Sequence, residues 1–230
     1  MKTAVILAGG KGTRLKPYTL EMPKPLVPIN QKPILEHILN NLKRHGFSRI
    51  ILTLNHMADM IRDYFGDGTS FGLDIEYTLE HKPLSTMGPL KLIENLPEDF
   101  LVMNGDVLTD LDFSNFYTNH VNNGSMFSIS SFRRIEKIDY GVLQVENSLL
   151  KDFSEKPSYE FLVSMGVYAL NLKVLDFIPK DTFFGFDHLV LELIRNKKEP
   201  FVQEHSGTWL DIGRPEDYEE ALNNYQNYLP

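Results

Sequence analysis

Apolar positions in the first half of the chain come in short runs whose spacing switches between two periods. Thr3–Leu7 is apolar after its first residue and partly β-branched, which predicts a buried central strand. From Pro33 to His45 the spacing lengthens: Ile34, Ile38 and Leu42 recur at every fourth position, with Leu35 and Leu39 beside them. That stripe predicts an amphipathic helix, opened by proline and stopped by Gly46. Arg49–Leu54, Asp74–Leu79 and Phe100–Met103 read as strands, with short helices at Met57–Phe65 and Gly88–Ile93. Strands alternating with helices predict a mostly parallel sheet covered by helices.

After about residue 123 the pattern changes. Met126–Phe132, Gly141–Val145, Leu149–Phe153 and Val163–Leu170 read as strands joined by short turns. Helices follow at Leu172–Phe177 and His188–Arg195, then strands near Phe201–Glu204 and Thr208–Leu210, and a closing helix from Pro215 to about Tyr225. There is no linker rich in Gly, Ser or Pro, no repeat and no low-complexity segment. Residues 1–123 and 124–230 are therefore expected to be halves of a single domain sharing one sheet.

Composition narrows the chemistry. A hydrophobic content of 42% in 230 residues allows a sizeable core. The formal charge of −8 argues against a general nucleic-acid surface, so an anionic ligand needs a local basic pocket. The chain has no cysteine, which removes disulfides, thiolate metal sites and cysteine nucleophiles and fits a reducing cytoplasm. No signal-peptide core and no apolar stretch near the roughly 18 residues of a spanning helix is present, so a cytoplasmic protein without a membrane partner is expected. None of the seven histidines pair at metal-ligand spacing, and no Gly-x-Ser-x-Gly elbow supports serine hydrolysis.

Candidate chemistry gathers where apolar runs stop abruptly. The first strand feeds Gly9, Gly10 and Gly12, followed by Thr13, Arg14 and, between two prolines, Lys24. Bare backbone N–H groups after a strand can cradle phosphate oxygens, with Arg14 and Lys24 as countercharge; the same letters also make an ordinary tight turn. The spacing is neither Gly-x-Gly-x-x-Gly nor a P-loop. Leu101–Met103 ends in Asn104-Gly105-Asp106, which places Asp106 at the strand end lining a ligand crevice, as a hard-oxygen ligand or a plain turn residue. Asp211 ends a short run after the only tryptophan and is either a second magnesium carboxylate or a helix-start residue. Glu155-Lys156-Pro157 offers an acceptor for hydroxyls and a point charge for phosphate, or a surface turn. Ser164–Tyr168 reads as a pocket floor or as core strand. In Glu80–Leu90, backbone groups are placed to read a base or ribose edge, with Gly88 permitting close approach.

Taken in order, LAGGKGTRL at 7–15, PKPL at 23–26, NGD at 104–106, YGV at 140–142, EKP at 155–157 and WLDIG at 209–213 resemble the sugar-1-phosphate nucleotidylyltransferase family. The resemblance implies an α/β fold: a Rossmann-like three-layer α/β/α core with a mixed, mostly parallel central sheet. It implies a Mg²⁺-dependent reaction of an NTP with a sugar 1-phosphate, giving an NDP-sugar and pyrophosphate. Residues 1–123 become the nucleotide-binding half and 124–230 the sugar-phosphate-binding half. Carried over, Leu7, Ala8, Gly9, Gly10, Gly12, Thr13, Glu80, Pro83, Thr86 and Gly88 are nucleotide contacts. Arg14 braces the departing pyrophosphate, Lys24 sits near the α-phosphate, and Asp106 and Asp211 hold magnesium. Gly105, Tyr140, Gly141, Glu155, Lys156, Ser164 and Gly166 serve the sugar phosphate. An oligomer of identical chains is left open.

Two departures from the family pattern stand out. Ser85 and Met87 replace smaller residues of the family loop, so base or ribose contacts are expected to differ. Ser164 stands where asparagine is usual, shortening a sugar contact. The run E-x-x-P-L-x-T-x-G-P-L at 80–90 is most similar to guanylyl-transferring members, which favours GTP over dTTP, UTP and CTP. A non-catalytic nucleotide-sugar-binding regulatory protein is the alternative from another class.

Overall fold

The computed structural model describes residues 1–228. Strand β1 (Lys2–Leu7) leads through the short β2 (Pro28–Ile29) and β3 (Lys32–Pro33) to helix α1 (Ile34–Arg44). Next come β4 (Phe47–Leu54), α2 (Ala58–Phe65), β5 (Asp74–Leu79), β6 (Asp99–Asn104), β7 (Val107–Thr109) and α3 (Phe113–Asn123). The second half holds β8 (Phe127–Lys137), β9 (Gly141–Glu146), β10 (Leu149–Glu155), β11 (Ser158–Asn171), α4 (Phe186–Arg195), β12 (Phe201–His205), β13 (Trp209–Asp211) and α5 (Pro215–Tyr228). The segments expected as short helices at 88–93 and 172–177 are tight 3-10 turns, Gly88–Leu92 and Leu172–Phe177.

Seven strands form one sheet in the order β12-β8-β11-β6-β1-β4-β5. Neighbours β6, β1, β4 and β5 are parallel, and β11 alone runs against both of its partners, β6 and β8. The sheet is mixed and mostly parallel, as expected, and its seam between β6 and β11 joins the two halves of the chain. Alternate side chains of β1 enter opposite cores. Ala4 and Ile6 pack with α1, α2, α3 and α5, whereas Val5 packs with α4 and the 3-10 turns. These are the three layers.

Three elements differ from the sequence expectation for identifiable reasons. α3 carries few apolar residues, burying Phe113, Phe116 and His120, and it starts because the Asp112 carboxylate accepts a hydrogen bond from Asn115 N. β8 and β11 run well past their apolar stretches, pairing from Ser131/Ser164 out to Lys137/Ser158. There the ladder is exposed and ion pairs, Arg133 with Glu160 and Glu204, take the place of apolar alternation. β9 and β10 continue outward as a two-stranded ribbon. Among the described residues, no helix is long and apolar enough to cross a membrane.

Candidate functional site

The site forms where β1 and β6 end side by side. Gly105 N donates to Leu7 O at 3.0 Å, and a side chain at Gly105 would meet that oxygen at 3.1 Å. The 104–106 turn can therefore lie directly over the end of β1. In the loop that follows, a Cβ on Gly9 would approach Glu80 Oε1 to 2.8 Å and Asn55 to 3.3 Å. Gly12 adopts a left-handed φ of 61°, and Thr19 Oγ1 donates to its carbonyl at 2.8 Å. The loop is folded back on Lys24, whose Cβ lies 3.1 Å from the place a Gly12 side chain would occupy.

Lys24 begins a single 3-10 turn after the extended Pro23 and carries its ammonium to Asp106 Oδ2 at 2.5 Å. The other oxygen, Asp106 Oδ1, is buried without a hydrogen-bond partner. β13 pairs antiparallel with β7, setting Asp211 opposite Val107, and Ile212 N donates to Asp106 O at 3.0 Å. This brings the second carboxylate next to the first. Asp211 reaches the cavity surface, yet loss of hydration among its neighbours, helped by the Asp106 charge, pushes its pKa up to about 6; Lys24 and Arg14 pull the other way. The result is two carboxylates, one orphaned oxygen and one ammonium in a single cluster.

A cavity opens on each side of this cluster. The first, about 510 Å³, is lined by Leu7, Gly9, Gly10, Glu80, Pro83 and Thr86, all anticipated from sequence, together with Asp106. It also takes in Ser85, singled out in the sequence for its effect on base or ribose contacts, and Lys11, Thr53, Asn55, Asn104 and Phe183, which sequence reasoning missed. Thr53 and Asn55 lie at the carboxyl end of β4, where the rule that found Asp106 applies equally. Glu80 is held by its backbone, with its N donating to Leu54 O and its O accepting from Asn55 Nδ2. Its Oε2 accepts from Leu84 N at 3.0 Å, and burial raises its pKa above the ordinary glutamate value.

Several anticipated residues stand elsewhere. Gly88 makes its close approach to protein instead of opening onto the cavity: a Cβ there would meet Thr182 O at 2.8 Å, and Met87 N and Gly88 N both donate to Phe184 O. Met87 is fully buried in the second core, so its bulk is spent on packing and does not face a ligand. Ala8 is buried, and Gly12 and Thr13 belong to the loop without lining either cavity. Tyr140, Gly141, Glu155 and Lys156 cluster at the root of the exposed ribbon, with Gly141 paired to Glu155, outside both cavities. Ser164 and Gly166 sit on a bulge, where the β11 register jumps between Ser164 and Tyr168. Gly166, at φ 74°, presses on Asn104, and Met165 O accepts from Trp209 Nε1 at 2.9 Å. The bulge therefore ties β11 to both carboxylate-bearing turns.

The second cavity, about 420 Å³, holds Arg14, Arg134 and Arg214 with Phe132, Trp209 and Asp211. Arg14 was anticipated; Arg134 and Arg214 were not. Its three guanidinium groups share the lining with Asp211, Asp217 and Glu220, and guanidinium forks suit phosphate oxygens.

The family model described as nucleotidyl transferase matches residues 3–228. The UTP–glucose-1-phosphate uridylyltransferase of Synechocystis is 33% identical over 95% of this chain and 62% of its own length. The mannose-1-phosphate guanylyltransferase catalytic subunit beta of Drosophila melanogaster is 36% identical over 98% of this chain and 63% of its own. The chain thus spans a little under two thirds of these curated relatives. HddC from Yersinia pseudotuberculosis, solved in complex with GMP-PN, is 31% identical over 98% of this chain and 100% of its own, with a TM-score of 0.72.

Proposed function

The chain belongs to the nucleotidyl transferase family, and from that premise we propose that it joins a nucleoside triphosphate, GTP in preference, to a sugar 1-phosphate. The products are an NDP-sugar and pyrophosphate. The observation that carries this reading is the Lys24–Asp106–Asp211 cluster set between a glycine-walled cavity and an arginine-lined one. A phosphate oxygen of the sugar 1-phosphate attacks the α-phosphorus in line with the bond to the β-phosphate. A new P–O bond forms, the α–β anhydride breaks, and pyrophosphate leaves with the electron pair. The attacking oxygen is already an anion, so no strong general base is required. The obstacle is bringing two polyanions together, and fixed cations and orientation answer it.

In this reading the bare loop Gly9–Thr13 cradles the triphosphate, and Lys24, steadied by Asp106, faces the attacked α-phosphate. Glu155 and Lys156 receive the sugar phosphate from the ribbon, with Ser164 and Gly166 on the bulge below. Asp106 and Asp211 suit magnesium: two hard carboxylates, one with a buried oxygen lacking any partner. Bound there, magnesium would neutralise phosphate charge. Mg²⁺ alone is expected to raise the melting temperature of the protein, because a divalent ion offsets the lost hydration and the Asp106 charge that together elevate Asp211. Asp106→Asn and Asp211→Asn should each lose most of that rise. Equal shifts in all three proteins would remove the carboxylates as the magnesium site.

GTP is favoured because Glu80 presents a carboxylate inside the first cavity, and guanine offers two adjacent donors on one edge. The similarity to guanylyltransferases and to a protein solved with GMP-PN supports the same choice. The uridylyltransferase relative favours UTP as the second reading. A grid of the NTPs against several sugar 1-phosphates, read by pyrophosphate release, tests both. Nucleotide-sugar binding with no turnover across the grid would replace the enzyme with a sensor.

A further inference from the structure

Two cavities flank the carboxylate pair, and only the first has the walls of a nucleoside site. Asp106 faces the first and Asp211 the second. A phosphate chain leaving the first cavity and passing the pair runs into the second. There three guanidinium groups converge from distant parts of the chain: Arg14 after β1, Arg134 on β8 and Arg214 before α5.

The charges in this cavity are unequally engaged. Asp217 Oδ2 already accepts from Gly213 N at 3.0 Å and Arg214 N at 2.7 Å, which fixes the turn entering α5. Glu220 Oε1 accepts from Tyr228 Oη at 2.5 Å. Among the described residues, the guanidinium groups of Arg14 and Arg214 form no ion pair, and Arg134 pairs only with Glu136 on its own strand. Asp217 and Glu220 are thus tied to the protein, while Arg14 and Arg214 have no ion-pair partner among the described residues and share the cavity with Asp211. A Cβ on Gly213 would lie 3.7 Å from Arg14 Nη2, so Arg14 runs alongside the turn that carries Arg214. Phe132 and Trp209, with ring centroids 5.6 Å apart, close the floor with apolar faces, limiting the water that competes for those donors.

We propose that Arg134 and Arg214 join Arg14 in holding the pyrophosphoryl end of the nucleotide, and the pyrophosphate it becomes, in this second cavity. The inference rests on the nucleotidyl-transfer reading and adds to it two residues and a direction of exit. When the α–β anhydride breaks, the electron pair and its charge go to the pyrophosphate, so cations placed there oppose charge that grows during transfer. Arg134 comes from the second half of the chain and Arg14 from the first. A bound pyrophosphoryl group would therefore bridge the halves at the mouth of the site.

Calorimetric titration of inorganic pyrophosphate into the full chain with Mg²⁺ tests this without requiring turnover. Arg214→Ala and Arg134→Ala should each weaken pyrophosphate binding by about tenfold, the usual loss for a charge-assisted hydrogen bond. Sugar 1-phosphate binding should stay within about twofold, as should both ligands in Arg195→Ala, an exposed arginine on α4. Both arginines are surface residues, and unchanged melting temperatures would exclude unfolding as the cause. Wild-type pyrophosphate affinity in both variants overturns the inference, as does absence of binding to the wild type at millimolar concentration. A loss confined to sugar 1-phosphate also overturns it and gives the cavity to the other substrate. Arginine-dependent pyrophosphate binding in a protein that turns over no NTP and sugar pair would keep the inference and defeat the transfer reading.

Discussion

Lys24→Ala is expected to lower turnover by about 10²-fold or more while leaving the fold intact, the scale of losing one fixed charge at a transition state. The Lys24 side chain is only 12% exposed and its ammonium meets Asp106 at 2.5 Å. Alanine removes the cation proposed to face the attacked phosphate and leaves Asp106 and Asp211 facing each other with one compensating charge fewer. Lys24 also helps keep Asp211 ionised against its loss of hydration, so the variant should carry a larger neutral fraction of that carboxyl near pH 6. The fall should be in kcat at saturating substrate, measured by pyrophosphate release with circular dichroism confirming the fold. A kcat within threefold of wild type would take Lys24 out of the chemistry and leave it a structural partner of Asp106.

Glu80→Gln should change which base is accepted. In the wild type, Oε2 is committed to Leu84 N and Oε1 lies on the Gly9 side, so the cavity receives acceptor character alone. Guanine N1–H and its 2-amino group complement that. The glutamine oxygen would take over the Leu84 bond and turn its NH₂ toward the base, which suits an acceptor such as a uracil or thymine carbonyl. We expect kcat/KM for GTP to fall by about 10- to 100-fold, the range for mismatching a paired hydrogen-bonding edge, while UTP or dTTP gains relative to it. A pH dependence follows with a definite sign. Burial raises the Glu80 pKa, so the ionised form proposed to accept from guanine starts to disappear at a higher pH than for an ordinary glutamate. KM for GTP should climb as the solution is acidified in the wild type, and by less in Glu80→Gln. An unchanged NTP ranking in the variant would move base choice to Thr53, Asn55 or Ser85.

The fold was legible wherever burial wrote a period into the sequence. β1, α1, β4 and β5 are all half or fully buried, and their apolar spacing announces them. α3 was hidden because its buried face is only three residues wide, and the outer parts of β8 and β11 because an exposed ladder of charged and apolar residues has no period to read. The site divides in the same way. Gly9, Glu80, Asp106 and Asp211 lie at abrupt ends of apolar runs, where position made them candidates beside an ordinary turn reading and the family resemblance chose between the two. Arg134 is one of two adjacent arginines in a charged strand and Arg214 one letter before a helix; only the folded chain puts them beside Arg14. Gly88 shows the converse. Its sequence context suggests an opening for a ligand, yet the space is filled by residues 182–184, which no local pattern foretells.

The pairing of β13 with β7 also sets an order of events during synthesis. Thr109 and Thr208, bonded to each other at 2.7 Å, are 99 residues apart in sequence. At about 5–20 residues per second, a ribosome that has just released β7 takes on the order of 5–20 s to deliver its partner strand. For that interval the nascent chain has its glycine loop, Lys24 and Asp106 but lacks the second carboxylate. Of the pair's neighbours in the fold, Asp106 then has only the lysine available, a pairing that is neutral overall. Asp211 is the last of the clustered charges to be synthesised, so the electrostatically costly arrangement cannot form before all seven strands of the sheet have been made.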